Sequence, residues 1–130
     1  MYLAWHSFIA ISLALAAGNA IDVVFAQDSS TFSGKAVYYS KNYKGTTASG
    51  VRYDPAKFTA AHRTLPFGTR LRVTDARTRR SVIVVINDRG PFTKGRTLDL
   101  SLAAAKALRM IERGVIKVTA SVESRSASGQ

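Results

Sequence analysis

The chain contains no cysteine. That excludes disulfides, cysteine-ligated zinc, thiol nucleophiles and a lipid-modified N-terminal cysteine. Histidine is almost as scarce: His6 and His62 lie far apart, and His6 sits in an apolar leader. That pair does not suggest a metal site, and no metal or cofactor is expected. Glutamate is limited to Glu112 and Glu123. No apolar run reaches the roughly 20 residues of a membrane span, because Asn19 and Asp22 interrupt the leader. Acidic residues number 8 against 19 basic ones, a net charge of +11. Such a balance favours an anionic or polar polymer as partner: nucleic acid, anionic lipid or acidic wall polymer. Simple solubility is the plainer explanation. With 130 residues, 46% of them apolar, the chain has the material for one domain with a real core.

Residues 1–26 read as a signal peptide. Residues 8–17 have the length of its apolar region, and Val24-Phe25-Ala26 fits a small-residue cleavage pattern. Gly18-Asn19-Ala20 is a second possible cleavage site, and the usual basic n-region is missing. Cleavage removes only Asp22 from the charge balance. The expected product is an exported, periplasmic or cell-envelope protein without a lipid anchor. An exported chain with no recognition motif is not expected to bind nucleic acid.

Residues 27–33 are rich in Ser and Thr and read as a mobile lead-in. GKAVYYS (34–40) predicts a first strand. KNYKGTTASG (41–50) is loop chemistry, and Pro55 and Pro66 forbid a long helix after it. RLRVT (70–74), the polar turn DARTRR (75–80) and SVIVVIN (81–87) predict a hairpin. Its second strand, apolar on both faces, belongs at the centre of the sheet. Ser101 is positioned to cap a helix with the body LAAAKALRMIER, ended by Gly114. VIKVTASVE (115–123) is a last strand, and residues 124–130 read as a disordered tail. The whole predicts a small closed β-barrel with one or two short helices outside.

Four segments carry more than structure: TASG near Tyr53-Asp54, FTAAHRTLPFGT, NDRGPF and GRTLDLSLAAAKAL. In this order and spacing they resemble the rare lipoprotein A (RlpA) family over roughly residues 34–122. The resemblance implies a six-stranded double-psi β-barrel. It also implies a periplasmic lytic transglycosylase that acts on peptidoglycan glycan strands stripped of stem peptides. Asp88 of NDRGPF matches the family's catalytic aspartate, and His62 of TAAH matches a supporting histidine. The family's usual glutamate falls on Val51. Tyr39, Thr47, Ser49, Asn87 and Arg89 are the expected sugar-binding residues, on a monomeric protein.

The bland alternatives are concrete. Asp88 in Asn-Asp-x-Gly suits a turn cap, and His62 suits a structural role bonding main chain near Pro66. Asp99 is read as ordering the start of the helix. Arg77, Arg79 and Arg80 read as a solvated hairpin tip. Hydrolysis with inversion needs two carboxyls. A lytic transglycosylase closes the sugar's own C6 hydroxyl onto C1, so one carboxyl can act first as acid and then as base. Asp88 alone is therefore expected to suffice, with its pKa raised by an apolar rim; pairing with Arg89 would oppose that. The alternative from another class is a non-catalytic, expansin-like glycan-binding or wall-loosening protein, favoured by Val51.

Overall fold

The computed structural model describes residues 30–125. The expected leader and most of the expected tail lie outside them. Six strands close into a barrel in the order β1-β5-β2-β4-β3-β6. They are β1 (Thr31–Tyr38), β2 (Thr59–Ala61), β3 (Arg70–Asp75), β4 (Ser81–Asp88), β5 (Arg96–Leu100) and β6 (Ile116–Ser124). One helix, α1 (Leu102–Ala107), stands outside and packs on β4 and β1. This is the closed six-stranded barrel expected from the sequence. No described helix is long and apolar enough to cross a membrane.

Alternation builds the core. Ala36, Ala60, Leu71, Val73, Val84, Ile86, Leu98 and Leu100 are fully buried or nearly so, each one member of a period-two pattern. The predicted hairpin is β3–β4, with Arg79 at φ 68 in its turn. Arg77, Arg79 and Arg80 are all exposed there. β4 lies between β2 and β3 as expected of a central strand. Only Val84 and Ile86 are fully buried on it; its other apolar residues are half-buried.

Three boundaries and two strands differ from expectation. β1 begins at Thr31, inside the supposed lead-in, because residues 31–36 pair with β6 and Phe32 packs against the core. β2 and β5 were not assigned from sequence. Both are short, and both are held by partners distant in sequence. Ser101 does cap α1, its side chain accepting from the Ala104 N–H at 3.2 Å. The helix then stops at Ala107 rather than running on to Gly114. Arg109 takes a left-handed φ of 55, which ends regular helix, and Gly114 (φ 74) closes the turn that follows. Ser124, placed in the tail by sequence, ends β6.

Candidate functional site

β2 is only three residues long, yet it organises the site. Ala60 faces the barrel interior and sits between Leu100 of β5 and Ile86 of β4. Its neighbour Ala61 sits between Asp99 of β5 and Asp88 of β4. Asp99 is in turn paired with Val37 of β1. Val37, Asp99, Ala61 and Asp88 therefore form one row across four strands, on the face opposite the interior. Two strand spacings separate the aspartates, about 10 Å between Cα atoms.

Strict alternation would not put Asp88 there. Val84 and Ile86 point inward, and Asp88 shares their parity. The register shifts between Ala60 and Ala61, so Asn87 is an extra residue with no partner on β2. This β-bulge turns Asp88 outward, a re-aiming typical of such irregularities.

Asp88 is then fixed by three donors. The Tyr39 hydroxyl donates to Oδ2 at 2.5 Å. The main-chain N–H groups of Ala48 and Arg89 donate to Oδ1 at 2.7 and 2.9 Å. Such a set suits a carboxylate: the two main-chain N–H groups can only donate, and the carboxylate accepts every bond. Gly90, at φ 122, lets the chain turn immediately afterwards. The Tyr39 ring packs with Tyr53 and Ala61, and its proton is held well above the ordinary phenol range, first by burial and then by the bond to Asp88. Ala61 is small enough to leave room for that ring.

Asp88 and Asp99 line the same open groove of about 680 Å³, with Tyr39, Tyr43, Arg89 and Phe92 also on its walls. Asp99 differs sharply from Asp88. Its Oδ1 is buried with no hydrogen-bond partner among the described residues. Its carboxyl is pushed up to about 6, by burial first and then by the Asp88 charge, with Arg96 opposing. This is more than the part in starting the helix that its sequence context suggests. The signal for more was the pattern Thr97-Leu98-Asp99-Leu100: two inward leucines leave Asp99 on the outer face.

The other expected residues divide. Arg89 lines the groove, but its guanidinium does not pair with the Asp88 carboxylate. It donates to the main-chain oxygens of His62 (3.1 Å) and Leu65 (2.8 Å) and lies 4.0 Å above the Phe67 ring. His62 is not on the groove wall. Its Nδ1 accepts from the N–H groups of Thr64 and Leu65, so the neutral ring carries its proton on Nε2. Burial, then Arg89 and Arg63, lower its pKa. It supports Asp88 through main chain, donating its own N–H to the Asp88 carbonyl at 3.2 Å. Thr47 is buried and shares hydrogen bonds with Ser49 and the Val51 carbonyl, while the Ser49 N–H donates to the Asn87 carbonyl. These residues shape the loop that carries Ala48 to Asp88. Val51 is 56% exposed. Glu123 is engaged by Arg72 at 2.6 Å and Glu112 faces solvent, so neither replaces the glutamate. Among the described residues, no three His, Cys, Asp or Glu side chains lie close enough to hold a metal ion.

Comparison with known proteins is consistent with this geometry. The model of the lytic transglycolase family matches residues 31–120. A probable endolytic peptidoglycan transglycosylase RlpA from a Nostoc strain is 53% identical over 98 residues, which is 73% of this chain and 26% of that protein. The chain spans roughly a quarter to two fifths of the curated relatives it matches. Among solved structures, the Streptomyces papain inhibitor aligns with a TM-score of 0.59 at 26% identity, covering 72% of this chain and 94% of the inhibitor. An expansin from Clavibacter michiganensis aligns with a TM-score of 0.58 at 24% identity, covering 76% and 53%. The expansin likeness establishes the shared fold.

Proposed function

Because the chain belongs to the lytic transglycolase family, we propose that it is an exported lytic transglycosylase. It cleaves bare, stem-peptide-free peptidoglycan glycan strands in the cell envelope and leaves 1,6-anhydromuramic ends. The observation that carries this reading is Asp88: a bulge turns it out of the barrel onto a groove, where three donors fix both of its oxygens.

The chemistry follows from that fixation. The scissile bond lies between C1 of a muramic acid residue and the oxygen of the next sugar. As it breaks, positive charge develops at C1, and a rigid carboxylate close by stabilises that charge without reorganising. The C6 hydroxyl of the same sugar then closes onto C1, and Asp88 is placed to take its proton. No water enters the bond-forming step. Phe92, 79% exposed on the groove wall, offers an apolar face to a sugar ring. His62 and Arg89 hold the segments around Asp88, and Arg89 also lines the groove.

The test is product analysis. Purified protein is incubated with denuded glycan strands, and chain ends are read by mass spectrometry beside Asp88→Asn. Anhydro ends from the wild type, reduced at least 100-fold in the variant, are expected. Equal cleavage by Asp88→Asn sinks the assignment. The second reading, a non-catalytic wall-loosening protein, is favoured by the exposed Val51 where the family glutamate is usual. It predicts binding to insoluble peptidoglycan with no new ends from any variant.

A further inference from the structure

A single carboxyl serves both steps only if it enters the reaction protonated; with the glutamate position taken by Val51 and Asp88 set among donors, the leaving oxygen lacks a proton source. Asp88 accepts three hydrogen bonds and is arranged as a base. Something else has to protonate the leaving oxygen. Neither glutamate reaches the groove, and His62 spends Nδ1 on its own turn and lies off the groove wall.

We infer that Asp99 is the general acid of this site, so that the two aspartates flanking Ala61 divide the proton transfers between them. The inference rests on the transglycosylase reading and extends it. Three observations support it. The register places Asp99 and Asp88 on the same face, one on each side of β2. Asp99 lines the same groove as Asp88. Its Oδ1 is buried without a partner, so ionisation there gains no hydrogen bond and loses hydration.

The charges facing Asp99 reinforce this. From β4 and its turn come Asp88 and Arg89; from the segment after β1, Tyr39 and Tyr43; from the loop at residues 45–53, Tyr53; from β5 itself, Arg96. From β2 there is only the methyl group of Ala61, with His62 beyond it bonded to its own turn. The Asp88 charge is the strongest of these on Asp99, and it favours the protonated form. Like charges sharing one site separate their roles: the well-solvated or hydrogen-bonded member ionises and the other keeps its proton.

The step balances. Asp99 gives its proton to the glycosidic oxygen, and the C1–O bond breaks with its electron pair going to that oxygen. The C6 oxygen bonds to C1, and its proton passes to Asp88. Exchange with solvent returns a proton to Asp99 and removes one from Asp88. No further reactant is consumed.

The test compares wild type, Asp99→Asn and Asp88→Asn on two substrates. One is denuded glycan. The other is a muramic-acid-ended disaccharide carrying a dinitrophenolate leaving group, which departs without protonation. On glycan, Asp99→Asn is expected to lose 10²–10⁴-fold in kcat, the usual range for a general acid. On the activated substrate it is expected to stay within about tenfold of wild type, while Asp88→Asn is lost on both. Wild-type kcat/KM on glycan should fall as pH rises through about 6, and the residual activity of Asp99→Asn should lack that limb. Asp99→Asn at the wild-type rate on glycan overturns the inference. So does a loss that the activated leaving group fails to rescue, which marks a structural role. Failure of the transglycosylase reading looks different: wild type forms no anhydro product from either substrate, and the acid role falls with it.

Discussion

Removing the Arg113 side chain tests how the barrel is locked to the segment behind its helix. Asp75, at the end of β3, is 1% exposed, and its Oδ2 meets an Arg113 nitrogen at 2.6 Å. Oδ1 accepts from the N–H groups of Arg77 and Thr78 in the hairpin turn. Burial alone would raise the Asp75 pKa; the Arg113 bond and the two main-chain bonds outweigh it and hold the carboxyl at about 2 instead of 3.8. That difference is worth about 2 kcal/mol of stability. The folded value lies below the unfolded one, so the contribution is complete at neutral pH and is lost as pH falls from about 4 towards 2. Stripping one partner from a buried pair costs about 3–5 kcal/mol. Arg113 is 26% exposed and two donors remain, so Arg113→Ala should cost about 2–3 kcal/mol at pH 7. For a domain this size that is roughly a 10–20 °C fall in Tm. Urea unfolding at pH 7 and pH 3 is the assay. About half of the difference between variant and wild type should vanish at pH 3. A cost below about 0.5 kcal/mol at pH 7, or one equal at both pH values, would refute the reasoning.

Two further predictions concern the groove. Tyr39→Phe keeps the ring between Tyr43, Tyr53 and Ala61 but removes the hydroxyl that holds Asp88. A lost charge-assisted bond of about 1.5–3 kcal/mol should lower kcat/KM roughly 10- to 100-fold and lower Tm by roughly 10 °C in calorimetry. Phe92→Ala removes an exposed ring and should leave unfolding curves unaltered. A stacking loss of about 1 kcal/mol should raise KM for glycan about fivefold with kcat retained, as steady-state kinetics would show.

Much of the barrel was legible because its long strands advertise themselves locally. RLRVTD alternates, SVIVVIND is a continuous β-branched apolar run, and a polar turn joins them, so the pairing partner follows from chain order. β2 offers three residues, Thr-Ala-Ala, without β-branched apolar side chains; only its neighbours β4 and β5 make it a strand. The helix was overextended because apolar spacing continues through Leu108 and Ile111, while the left-handed Arg109 carries no sequence mark. In the site, NDRGPF identified Asp88 directly. Arg89 was legible as a neighbour but not as a clamp, since the carbonyls it binds belong to the turn 24 to 27 residues earlier. Asp99 was hidden for the same reason: what makes it unusual comes from β1, β2 and β4, not from its own segment.

Asn87 shows how closely fold and site depend on each other. It was expected to bond sugar, yet its position in the ladder matters more than its side chain. Without the extra residue, Asp88 would continue the inward series of Val84 and Ile86 and bury a carboxylate in the apolar core, a costly arrangement. With it, the same strand supplies two core residues and then a groove residue within five positions. β5 needs no such device, because Asp99 already has the outward parity between Leu98 and Leu100. The two carboxyls therefore reach one face by different routes, one by alternation and one by a break in it. The strand edges that fix their separation are the hydrogen-bonded edges of β2. This gives the apolar run before NDRGPF a second purpose. It anchors β4 in the core so firmly that a single bulge, rather than a flexible loop, decides where Asp88 points.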